Sequence, residues 1–121
     1  MQSQKSGTKK INLSIIIAMI TPGAVLLSAL MPAVLGVLLA LEEGGGSNAW
    51  AIPILLAIPC LGNAGVDLLN DYYDYIGGND TPENIVLEAE GPLAYHRIKD
   101  ARPALWLGWV CILAAVALGY M

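Results

Sequence analysis

Charged residues are scarce in this 121-residue chain, at 13% against 56% apolar. They are also bunched, which excludes the evenly charged surface that a water-soluble domain of this size requires. Residues 11–41, 44–66 and 103–121 carry no charge at all. Basic residues are few, and Arg97, Lys99 and Arg102 stand among many acids, so there is no nucleic-acid surface. No glycine-rich loop followed by lysine is present to cradle a nucleotide phosphate. Cysteine is limited to Cys60 and Cys111, in different apolar runs. Both read as small buried hydrophobes, with no disulfide framework and no indication of redox compartment. No repeat occurs at solenoid or propeller periods.

What is there is membrane-like. A bilayer core of about 30 Å is crossed by roughly 20 apolar residues as helix, so each uncharged run can host one crossing. The expected fold is all-α, with three transmembrane spans at about residues 15–41, 49–74 and 103–121 of a larger helical bundle. A polar tail over residues 1–10 precedes them, and an acidic loop over residues 75–102 separates the last two. The first run would be about 46 Å long as one helix, more than a single perpendicular crossing. Pro22 is the expected break, with Ile11–Ile20 as an entering segment at the interface and Pro32 as a second kink point. The length of the run behind Lys5, Lys9 and Lys10 suits an uncleaved signal anchor better than a signal peptide.

Gly44, Gly45 and Gly46 mark a flexible turn. Trp50, Trp106 and Trp109 mark interfaces. All six basic residues fall in the tail or in the acidic loop, and the Glu42 turn has none. The positive-inside tendency therefore places the N-terminus and the acidic loop in the cytoplasm of a multi-pass protein of the plasma membrane.

The net charge of −4 hides a local cluster, since eight of the ten acids lie between Asp67 and Asp100. At the exit of the second span, Asn63, Asp67, Asn70, Asp71 and Asp74 fall within about one third of a helix circumference at 3.6 residues per turn. Val66, Leu68, Leu69, Tyr72 and Tyr73 lie on the other side, suited to lipid or to neighbouring helices. Carboxylates four residues apart stand about 6 Å from each other, and at an effective dielectric near 20 each pair repels by about 3 kcal/mol. Such a stripe must bind protons or a cation. One or two acids at a helix end are usually a solvated cap. Several polar groups that begin inside an apolar run point to function instead. An all-oxygen donor set suits a hard divalent ion such as Mg²⁺, and zinc is disfavoured because Cys60 and His96 lie elsewhere.

At these residues the chain resembles the UbiA-type intramembrane prenyltransferases. Their first aspartate-rich motif is Asn-Asp-x-x-Asp followed by a further Asp; here Asn70-Asp71-Tyr72-Tyr73-Asp74 is followed by Asp80. The spacing through Tyr75-Ile76-Gly77-Gly78-Asn79-Asp80 is most similar to the branch that prenylates 1,4-dihydroxy-2-naphthoate in menaquinone synthesis. The resemblance implies Mg²⁺ held by Asp71, Asp74 and Asp80, with Asn70 in the metal or phosphate shell and Asp67 beside it. It implies a prenyl diphosphate and an aromatic acceptor as substrates, Asp71 and Asp74 as catalytic residues, and Arg97 and Lys99 as diphosphate-binding cations. The arginine that the family has after its Gly-Pro step is absent, since Gly91-Pro92 is followed by Leu93-Ala94.

Family members have roughly nine spans and a second aspartate-rich motif, so the resemblance covers an N-terminal portion, with the remaining helices expected downstream or as a separate chain. The alternative from another class is a small non-catalytic membrane protein whose acidic loop binds divalent cations.

Overall fold

The computed structural model describes residues 10–20, 23–44 and 48–121. It is all-helical, with no strand among the described residues. Helix α1, Leu13–Ile20, opens on Asn12, whose side-chain oxygen accepts the Ile15 amide hydrogen at 3.0 Å, the geometry that satisfies a free helix-end donor. Ile15 and Met19, one turn apart, are buried, while Leu13 and Ile17 face outward. Helix α2, Gly23–Glu42, carries Pro32 inside it and exposes Leu27, Met31, Leu35 and Leu38. Of the expected breaks and tail, Met1–Lys9, Thr21, Pro22, Gly45 and Gly46 lie outside the described residues.

Helix α3, Ala51–Ile76, is 26 residues long. Its Pro53 sits in the first turn, where no amide hydrogen is required. At its far end the chain folds back on the last carbonyls. The Gly77 amide hydrogen bonds to Tyr73 O at 2.9 Å, and the Asn79 and Asp80 amides both bond to Asp74 O, at 2.9 and 3.1 Å. Gly78, with φ +78°, supplies the left-handed step that this turn needs.

The loop that follows is structured. It contains a single 3-10 turn, Glu88–Glu90, whose Glu90 carboxylate accepts the Leu87 amide hydrogen at 3.2 Å. A short helix α4, Pro92–Tyr95, comes next, with proline where the amide hydrogen is dispensable. Helix α5, Arg102–Gly119, then returns alongside α3.

The α3–α5 pair is the main contact of the fold, and its closest approach is antiparallel, at Gly65 and Gly108. A methyl group on Gly65 would stand 2.6 Å from Ile112 Cγ1 and 2.8 Å from Gly108 O, so only hydrogen fits there. Helix α2 lies against α3, and α1 packs against α3, α4 and the 3-10 turn. Together they enclose the core: Ile15, Met19, Leu68, Leu93, Ile98, Ala101 and Ala104.

Helices α3 and α5 are long and apolar enough to cross a membrane. In α2 the corresponding apolar stretch, Leu26–Glu42, is shorter. Two of the three expected crossings therefore meet that standard among the described residues. Cys60 and Cys111 are free and partly buried.

Candidate functional site at the end of the third helix

The last four turns of α3 carry the polar stripe, and its members are ordered by one another. Asn63 Nδ2 donates to Asp67 Oδ2 at 3.0 Å, and Asn70 Nδ2 donates to Asp74 Oδ2 at 3.2 Å. Both pairs have the i, i+4 spacing that brings side chains together on one helix face. Asn79, beyond the helix, donates to the other Asp74 oxygen at 3.1 Å. Asp74 is thus held from both sides by amide donors. Sequence reasoning gave Asn79 no role; the glycine pair before it, which turns the chain back onto the helix end, was the available signal.

Asp71 lies within electrostatic reach of Asp67, Asp74 and Asp80, so the four carboxyls share one field. The Asp80 carboxyl is pushed above the usual carboxylate range, by partial burial first and then by the charge of Asp74. Its Oδ2 stands over Gly91, where a Cβ would come within 2.9 Å of it.

Asp67, Asp71, Asp74 and Asp80 are therefore neighbours, yet among the described residues no three acids, histidines or cysteines converge to hold a metal ion directly. The donor set is all oxygen, which fits a hard ion such as Mg²⁺ that keeps several of its waters and is held by one or two carboxylates plus phosphate.

Arg97 and Lys99 are exposed on the turn after α4, Arg97 with φ +51°. Neither pairs with the stripe: among the described residues Glu88 is hydrogen-bonded to His96 at 2.7 Å, and Asp100 forms an ion pair with Arg102 at 2.9 Å. The face opposite the stripe divides. Leu68 is fully buried, Tyr72 packs against the core, and Val66 and Tyr73 point outward. The Tyr75 hydroxyl donates to the Ile98 carbonyl oxygen and so ties the end of α3 to the segment after α4.

A groove of about 560 Å³ runs between α2, α3 and α5. Its walls are apolar, from Ala29, Ile58, Pro59, Val66 and Val116, apart from Asn63 at the start of the stripe. An apolar trough thus meets an acid-rich helix end. No family model, curated protein or solved structure matches this chain.

Proposed function

We propose that this chain is the N-terminal part of an integral membrane prenyltransferase that transfers an isoprenyl group from a prenyl diphosphate to an aromatic acceptor such as 1,4-dihydroxy-2-naphthoate. The observation that carries the reading is the amide-ordered oxygen stripe at the end of an apolar helix, with an apolar groove abutting its inner end. Depth supports it. Counted from Ala51 at 1.5 Å per residue, Asp67 lies about 24 Å along α3, Asp71 about 30 Å and Asp74 about 35 Å, against a hydrocarbon core of about 30 Å. The stripe would straddle the boundary, where a diphosphate is wet and its tail is not. With the lysines and arginines on the same side, that boundary is cytoplasmic.

In this reading Asp71, Asp74 and Asp80 would hold the Mg²⁺–diphosphate, Asn70 and Asn79 keep Asp74 aimed, and the groove receives apolar chain. Bound Mg²⁺ supplies neutralisation of the charge that develops on the departing diphosphate. Arg97 and Lys99 act on the diphosphate from the loop. A second reading, a non-catalytic membrane protein with a cation-binding acidic loop, is favoured by the separation of Arg97 and Lys99 from the stripe acids.

Mg²⁺-dependent binding of a prenyl diphosphate to the purified chain, compared with Asp71→Asn and Asp74→Asn, decides. A loss of about tenfold or more in each variant supports the prenyltransferase reading, on the scale of altered metal sites. Equal binding by all three removes it. Mg²⁺ binding that is lost in the variants but gains nothing from the diphosphate supports the second reading.

A further inference from the structure

Asp80 differs from the other acids of the stripe. It lies beyond α3, and its backbone is fixed by the bond from its amide to Asp74 O, but no hydrogen bond among the described residues holds its carboxylate. The carboxylate is partly buried and lies against Gly91. Gly91 is buried directly beneath Oδ2, and a Cβ there would also meet Ile85 Cδ1 and Cγ1 at 3.1 Å. The Gly91 backbone, with φ −172°, is extended and open to any residue. A methyl group there would push the Asp80 carboxylate aside, so the position matters for room and not for conformation.

Gly91 in turn heads a rigid block. Gly91 O accepts the Tyr95 amide hydrogen at 2.9 Å, Pro92 O that of His96 at 3.1 Å, and Leu93 O that of Ile98 at 3.0 Å. Pro92, Leu93, Ala94 and Ile98 are buried. Among the described residues, the hydrogen bond from this block to α3 is the one from the Tyr75 hydroxyl to Ile98 O.

We infer that Tyr75 and Gly91 are positioning residues: Tyr75 pins the block carrying Gly91 to the end of α3, and Gly91 sets where the Asp80 carboxylate stands beside Asp74. The inference rests on the reading of the stripe as a metal–diphosphate site. Both residues act through Asp80, so their effect on ion binding must vanish once Asp80 no longer carries its charge.

The test is a Mn²⁺ titration in the presence of inorganic pyrophosphate, followed by electron paramagnetic resonance on the full chain in detergent. Asp71→Asn reports on the site itself; if the wild type shows no saturable binding, or Asp71→Asn binds equally well, the site reading and this inference fall together. With that dependence established, Tyr75→Phe and Gly91→Ala are each expected to weaken binding by about tenfold, the scale of outer-shell residues at metal sites. In an Asp80→Asn background the same substitutions are expected to change binding less than about twofold, the signature of coupled residues in a double-mutant cycle. Losses equal in both backgrounds indicate a merely structural role and overturn the inference. So does an unchanged affinity in Tyr75→Phe, the variant that adds no atoms and least disturbs folding.

Discussion

The two ends of the α3–α5 pair are held together by different means. At the acidic end, side chains from α1, α3, α4 and α5 close a core in which Met19, Leu68, Leu93 and Ile98 are almost wholly buried, and the loop bonds back onto the end of α3. At the other end no such core forms among the described residues. No residue from Ala51 to Ala64 is buried, and beyond Gly108 only Ala115 is. Leu38, Leu113 and Val116 are more than half exposed. The acidic end brings its own apolar interior, whereas the opposite end leaves its apolar side chains exposed, and the close approach at Gly65 and Gly108 lies between the two.

Truncation at the two ends should then cost very different amounts. Leu68→Ala removes a side chain with no exposure, and about 2–5 kcal/mol of stability is expected to go with it. Leu35→Ala, on an α2 face that is 58% exposed, is expected to change stability by less than about 0.5 kcal/mol. Reversible unfolding in mixed micelles, followed by circular dichroism, measures both. Similar losses would break the distinction between the ends.

The next effect sharpens it at the helix crossing. Gly65→Ala drives a methyl group to within 2.6 Å of Ile112 and is expected to cost about 1–3 kcal/mol through forced separation of α3 and α5. Gly62, one turn earlier, has open space around its Cα. Gly62→Ala should therefore stabilise, by up to about 1 kcal/mol, because alanine loses less entropy in a helix. The same unfolding assay reads the two signs; a common sign would show that close approach at Gly65 does not hold the pair.

The helical architecture and the polar stripe were legible in the sequence because both follow from a 3.6-residue period and from the length of uncharged runs. The core was not. Leu68 reads as one of several apolar residues facing lipid or a neighbour, and it is buried only because α1 and α4, distant in sequence, close over it. The stretch over residues 75–102 reads as acidic loop, yet it contributes Leu93, Ala94, Ile98 and Ala101 to the interior. Such short apolar pieces show no period, so nothing local distinguishes them from loop. Gly91 reads as a loop breaker; that it makes room for a carboxylate eleven residues away depends on a chain reversal that composition does not record.

The smallest effects lie within the acidic loop, where two carboxyls at its ends respond to pH in opposite ways. The Asp100 carboxyl, bonded by the Arg102 side chain at 2.9 and 3.1 Å and by its amide at 3.1 Å, is held below the usual range. The fold therefore favours its ionised form; that stabilisation is complete above the unfolded value of about 3.9 and is lost as pH falls through the folded one. Asp80 is the reverse, since partial burial and Asp74 raise its folded value. Its charge destabilises the fold at neutral pH, and the penalty fades as pH falls toward about 3.9. In chelator-treated protein at pH 7, Asp80→Asn is expected to raise the unfolding midpoint slightly and Asp100→Asn to lower it slightly. On acidification the Asp80 difference should close first and the Asp100 difference last, because the two folded values lie on opposite sides of the unfolded one. Closure in the other order would mean that Asp80 is not desolvated against Gly91, and that the loop does not extend the packed interior to the edge of the acidic stripe.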